Sequence, residues 1–276
     1  MLKKIWLISG FAGLVLMSLV FYWYFSFVEA RKVHLPDLER LKNSYPVVQY
    51  QGPKQPFSYT LETTRPKGWR GLHELPERAV GAIVISEDWA FFDHSGFDWR
   101  QMREALTVDL KRGKFARGAS TITQQVVKNL FLTHEKSVVR KALELVLAIQ
   151  LDEFLSKERI LEIYLNIAEW GEGIFGIEQA SQMYFAKPAT QLSPREGAFL
   201  AMLLPSPKRY SQSFRDHALS PYASRTIYAI LGKLLQAGII SDDEHNEALQ
   251  SRFSFETVNS LTNGEADGDT DRGNEE

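Results

Sequence analysis

The chain has 276 residues, of which 44% are hydrophobic and 24% charged, with a formal net charge of −2 and no cysteine. That length suits one large domain or two small ones, and the apolar share excludes wholesale disorder. The lack of cysteine excludes a disulfide scaffold, a zinc ribbon, a thiol protease and a thiol redox enzyme, and is compatible with an oxidising compartment.

Ile5 to Val28 carries no charge over 24 positions. As a helix it spans about 36 Å, enough to cross a hydrocarbon core of about 30 Å. Lys3 and Lys4 precede it, and Phe21, Tyr22, Trp23, Tyr24, Phe25 and Phe27 crowd its far end. Such rings favour the headgroup zone. Residues 1–4 therefore read as a cytoplasmic N-terminus, 5–28 as a single transmembrane anchor, and the body as extracytoplasmic. The rival is a cleaved signal peptide, because Val28-Glu29-Ala30 resembles a cleavage site. The uncharged stretch is longer than the usual signal core of about 7–15 residues.

Residues 29–76 read as a linker and extended region, punctuated by six prolines from Pro36 to Pro76. Val47, Val48 and Tyr50, then Tyr59 and Leu61, suit short strands. From Glu77 to about Gln250 the pattern is helical. Ser193-Pro194-Arg195-Glu196 is a capping box with proline at the first helical position. Ser220-Pro221 opens a helix that should end near Gly238, and Ser241 to Glu244 is a second capping box. No strand–helix alternation of the doubly wound kind occurs, so the body is predicted to be mainly α and one domain. Residues 256–276 form an acidic tail predicted to be disordered. Gly264 to Glu276 holds six acids and one base, a net of −5, which leaves +3 on residues 1–263. A mildly basic body does not point to nucleic acid and suits an anionic ligand at a local basic site.

No P-loop, zincin or nucleophile-elbow motif is present, and the six histidines show no metal-ligand spacing. The unusual residues are carboxylates and amides in apolar company. The run Ala79 to Ile85 ends in Ser86, Glu87 and Asp88, followed by Trp89, Phe91 and Phe92. A carboxylate in an apolar, aromatic wall has a raised pKa suited to proton transfer; a solvated helix end is the alternative. Glu144 is the one charge between Ala142 and Ile149, with Arg140 and Lys141 four and three residues earlier. It reads either as a structural ion pair or as an acid held among cations beside a charged substrate. From Gly118 to Asn129, Ser120 is placed to cap a helix, and Gln124 with Lys128 and Gln125 with Asn129 form a polar strip one turn apart. Amide donors plus lysine suit phosphate and sugar hydroxyls; an ordinary amphipathic helix is the bland reading. Lys111, Arg112, Lys114 and Arg117 around Phe115 suit either anionic headgroups or a solvated loop.

Together these segments resemble the peptidoglycan glycosyltransferases of glycosyltransferase family 51. Glu87 to Gly96 matches E-D-x-x-F-x-x-H-x-G, and Gly118 to Asn129 matches G-x-S-T-I-T-Q-Q-x-x-K-N. Arg140 to Glu144 matches R-K-x-x-E, and Lys157 to Asn166 matches K-x-x-I-L-E-x-Y-L-N. Gly176-Ile177 through Tyr184-Phe185 resembles a fifth block. The resemblance covers about residues 77–207, in the family's order.

It implies a mainly α, lysozyme-like glycosyltransferase domain over 77–207, a helical extension over 208–255 and a monofunctional enzyme in the inner membrane. The implied reaction is polymerisation of lipid II into β-1,4 glycan strands on undecaprenyl diphosphate. Glu87 would be the general base and Glu144 the second catalytic acid. Asp88, Ser120, Thr121, Gln124, Gln125, Lys128, Asn129, Lys136, Arg140 and Lys141 would bind substrate. Lys136 stands where family members often carry arginine, which keeps the charge but loses the bidentate fork. No cofactor is obligatory and no metal ligand is assigned; a divalent cation, magnesium or manganese, is the candidate ion near Glu144. The implied partners are lipid II, the growing glycan-diphosphate-lipid, the membrane, and a separate transpeptidase or other cell-wall synthesis protein, because no S-x-x-K or K-T-G motif is present. A glycan-cleaving enzyme and an inactive membrane-anchored scaffold are the competing readings.

Overall fold

Serine and threonine caps set most of the helix starts. The structure, a computed structural model, describes residues 17–18, 37–52, 58–100, 103, 120–132 and 137–257. Apart from Met17 and Ser18, the expected anchor over 5–28 lies outside the described residues, as do the basic cluster around Phe115, Lys136 and the tail beyond 257. Among the described residues no helix is long and apolar enough to cross a membrane.

The chain is mainly helical. After an antiparallel hairpin of β1 (Tyr45–Gln49) and β2 (Ser58–Glu62) come α1 (Glu77–Glu87), α2 (Ile122–Phe131), α3 (Val138–Phe154) and α4 (Lys157–Ile167). A second small hairpin, β3 (Glu169–Gly171) and β4 (Ile174–Phe175), leads to α5 (Ile177–Phe185) and α6 (Pro194–Leu203). Two single turns, α7 (Pro207–Tyr210) and α8 (Gln212–Arg215), precede α9 (Pro221–Gln236) and α10 (Asp242–Gln250). Ser193, Ser220 and Ser241 cap α6, α9 and α10 as the sequence predicts, and Ser137 and Ser156 cap α3 and α4. Each such cap stabilises its helix by about 1 kcal/mol.

Helix α6 is the axis of the core. Every residue from Gly197 to Leu203 is buried, and α1 and α9 pack on it. A Cβ on Gly197 would lie 2.6 Å from Ala79 backbone atoms, so the backbones of α1 and α6 touch there. On the other side α2 packs against α3 and α4. The segment after α10 continues this core: the Phe253 ring stacks on Phe185 at 5.8 Å, and Phe255 lies 5.3 Å from Phe199.

The region read as a linker is a packed strap from Leu38 onward. Leu38 and Leu41 are buried, and Arg159 of α4 donates to the carbonyls of Leu41 and Ser44 while lying against the rings of Tyr45 and Trp69. The Trp69 indole donates to Glu162 at 2.9 Å, and the Asn166 amide exchanges two 2.8 Å hydrogen bonds with the Arg70 backbone. Arg159, Glu162 and Asn166 of the Lys157–Asn166 motif thus hold this strap to α4.

Two glycines test the packing from opposite directions. Gly197→Ala forces backbone apart in a full core and should cost about 1–3 kcal/mol of unfolding free energy. Gly232, inside α9, has nothing within 4 Å of the place a methyl group would take. Gly232→Ala should raise stability by about 0.5–1 kcal/mol through helix propensity. Thermal unfolding of both variants measures the contrast.

Candidate active site

Helix α1 runs out at Glu87, and the next residue fastens it to α2. Asp88 is buried, with its carboxylate 2.9 and 3.1 Å from His94 Nε2. Its Oδ2 also accepts the backbone N–H of Ile122, the first residue of α2, at 3.0 Å. A carboxylate there meets an unsatisfied helix donor and the positive end of the helix dipole. Thr121, not Ser120, caps α2: its hydroxyl accepts from the Gln124 N–H at 3.2 Å, and Gln124 Oε1 accepts from the Thr121 N–H at 3.1 Å. The Thr121 hydroxyl also donates to the Gly96 carbonyl at 2.7 Å. Gly96 has φ +74°, and a Cβ there would lie 2.7 Å from the Ala148 backbone of α3. Asp88, Thr121 and Gln124, expected to bind substrate, are buried and hydrogen-bond within the frame formed by α2 and the loop that precedes it.

Glu87 is half-buried, and Gln125 Nε2 donates to its Oε2 at 2.8 Å. Burial pushes the Glu87 carboxyl above the ordinary carboxylate value; the Gln125 bond and the Lys128 charge pull it down, and Asp88 pushes it up. The aromatic wall expected around it is only partly formed. Phe91 is fully buried, whereas Trp89 and Phe92 are 61% and 54% exposed. Those two rings rim an apolar groove of about 580 Å³ on the flank of α1, lined by Leu72, Val80, Val84, Ile85, Leu161 and Ile239.

Glu144 is 2% exposed on the buried face of α3. Its oxygens accept from Arg140, at 2.9 Å, and from Lys141, whose ammonium also donates to the Ser120 hydroxyl at 2.9 Å. Leu143, Leu145, Val146 and Ile149 stay half-exposed, so α3 is not buried all round as its composition suggested. Among the described residues, the buried Arg140 Nε has no hydrogen-bond partner. Lys128 interacts electrostatically with both Glu87 and Glu144. Its ammonium keeps solvent contact yet is held below its ordinary value, first by desolvation; Glu144 and Glu87 raise it, and Lys141 and Arg140 lower it. Asn129, half-buried, follows Lys128 on α2.

The donor set does not favour a divalent cation beside Glu144, since both carboxylate oxygens already face cations. Among the described residues no group of three His, Asp or Glu side chains is placed to hold a metal. Two residues of the site were legible in the motifs only as letters. The His94 ring braces Asp88. Tyr164, fully buried on α4, donates its hydroxyl to Gln125 Oε1 at 3.3 Å. A tyrosine inside an apolar helix stripe is the signal, because a buried phenol needs a polar partner.

Residues 55–231 match the sequence profile of the Transglycosylase family. The chain belongs to that transglycosylase family. As a transglycosylase it is an enzyme, in agreement with the five-motif resemblance. A biosynthetic peptidoglycan transglycosylase of Azoarcus sp. (strain BH72) is 37% identical over 231 residues, covering 81% of this chain and 95% of that protein. The namesake of Alcanivorax borkumensis is 41% identical over 196 residues, 71% of this chain and 74% of its own. That of Nitrobacter winogradskyi is 52% identical over 144 residues, 52% of this chain and 63% of its own.

If Asp88 frames the transglycosylase site, Asp88→Ala strands a buried N–H and a buried imidazole and should lower unfolding free energy by about 2–4 kcal/mol in urea titration. An unchanged midpoint would return Asp88 to a substrate-contact role.

Proposed function

We propose that this protein is a peptidoglycan glycosyltransferase that polymerises lipid II into β-1,4-linked glycan strands and releases undecaprenyl diphosphate. The observation that carries the reading is the contrast between its two acids. Glu87 is desolvated, raised in pKa and held by one neutral amide, whereas Glu144 is saturated by two cations. In this reading Glu87 takes the proton from the acceptor 4-hydroxyl. That oxygen attacks the anomeric carbon of the growing chain from the face opposite the diphosphate, which inverts the centre. The bond from the anomeric carbon to the diphosphate oxygen breaks, and its electron pair leaves with the diphosphate.

Lys128, Arg140 and Lys141 offset the charge that develops there. The buried Arg140 Nε, without a hydrogen-bond partner among the described residues, supports an anionic ligand beside them. Glu144 holds Arg140 and Lys141 in place. The groove beside Trp89 and Phe92, and the uncharged run from Ile5 to Val28, support a lipid-linked substrate handled at the inner membrane. Tethering enzyme and substrate to one surface raises their effective concentration.

Detergent-purified full-length protein with labelled lipid II tests this. A ladder of glycan polymers is expected from the wild type, and Glu87→Gln should reduce it by about 10²–10⁴-fold. A Glu87→Gln variant that still polymerises would remove Glu87 from the chemistry. Cleavage of finished glycan with no polymer would indicate a lytic enzyme.

The two shifted groups also set a pH profile. Glu87 works ionised, so the rate falls as pH drops through its raised pKa. Lys128 works protonated, so the rate falls as pH rises through its lowered pKa. A bell in kcat/KM narrower than ordinary carboxylate and ammonium values allow is expected, and Lys128→Met should flatten the alkaline limb.

A further inference from the structure

Gln125 joins two groups of opposite demand. Glu87 as an ionised base only accepts hydrogen bonds, so it needs the amide N–H₂ and not the amide oxygen. An amide can turn over with little change in shape, and the wrong orientation would set Gln125 Oε1 against the Glu87 carboxylate. Something must therefore hold the amide from its other end.

We propose that Tyr164 is a positioning residue for Glu87: its hydroxyl, donated to Gln125 Oε1, fixes the amide so that Gln125 Nε2 faces the Glu87 carboxylate. The geometry is a chain of two hydrogen bonds across three helices. Tyr164 on α4 donates to Gln125 on α2 at 3.3 Å, and Gln125 donates to Glu87 on α1 at 2.8 Å. Tyr164 is fully buried in the core, so its ring has no room to swing away. Burial, with the charges of Glu87 and Asp88, keeps the phenol pKa well above its ordinary value, so the hydroxyl keeps its proton across the working range. Tyr164 touches no reacting atom in this arrangement. It acts through Gln125, and this inference rests on the reading of Glu87 as the base.

Losing the tyrosine hydroxyl frees the amide to turn. An oxygen facing Glu87 disfavours the carboxylate, so Glu87 holds its proton to a higher pH. Tyr164→Phe, in the full-length detergent-solubilised enzyme with labelled lipid II, should move the acidic limb of the kcat profile upward by about one pH unit. The rate then falls about tenfold below the limb and recovers to within about threefold well above it, with KM little changed. Gln125→Leu should move the limb in the same direction, and the double variant should move it no further. Tyr184→Phe removes another buried phenol, one that donates to the Trp170 carbonyl at 2.9 Å, and should lower the melting midpoint while leaving the limb in place.

A Tyr164→Phe rate lowered by the same factor at every pH, or limb shifts that add in the double variant, would overturn the proposal. Should Tyr164→Phe fail to fold, 3-fluorotyrosine at position 164 keeps the ring and strengthens the donor. The limb should then move down, and an unmoved limb overturns the proposal. The underlying reading fails separately. If Glu87→Gln retains wild-type polymerisation, Glu87 is not the base; if it is inactive while Tyr164→Phe keeps the wild-type limb, only the role of Tyr164 falls.

Discussion

The site depends on one buried carboxylate. Asp88 ends α1 and takes the first N–H of α2, with His94 on the same two oxygens. A charged group in the interior is tolerated only when it is paired, and here its partners are the elements that must be brought together. Because Asp88 follows Glu87 directly, tying it to Ile122 also brings Glu87 opposite Gln125, one turn into α2. Glu87 and the Gln125 amide are thus placed by the same contact that joins their helices.

From that frame the two acids diverge. Glu87 sits in little solvent, which raises its proton affinity, and the neutral Gln125 donor offsets only part of that rise. Glu144 receives Arg140 and Lys141 from its own helix, four and three residues earlier, where α-helical geometry brings them onto its face. Lys128 projects from α2 under the influence of both acids. One carboxylate is thereby suited to take a proton, and the other to hold cations where an anion can be met. Environment, not residue type, separates the roles.

Much of this was legible in the chain. The caps at Ser193, Ser220 and Ser241 follow from local hydrogen bonding, and the pairing of Glu144 follows from helical spacing. Other expectations shifted because a linear pattern does not say which polar atoms are already taken. Ser120 and Thr121 are equally able caps by type, and the Gly96 carbonyl selects Thr121. Gln124 and Gln125 are neighbours of one type, yet helical rotation turns the first into the cap and the second toward Glu87. Trp89, Phe91 and Phe92 read as one wall, but only Phe91 reaches the core.

By itself the sequence determined the helical body, most helix boundaries, the family motifs and the two acids, because these rest on interactions between residues a few positions apart. Only the tertiary structure decided that Asp88 bonds to the first N–H of α2, that residues from Leu38 onward strap the core, and that Tyr164 reaches Glu87 through Gln125. Those contacts join residues 34 to 118 positions apart along the chain. Spacing along a helix carries no information about such pairs. They are chosen by packing, where every buried polar atom must find a partner among whatever the fold brings beside it.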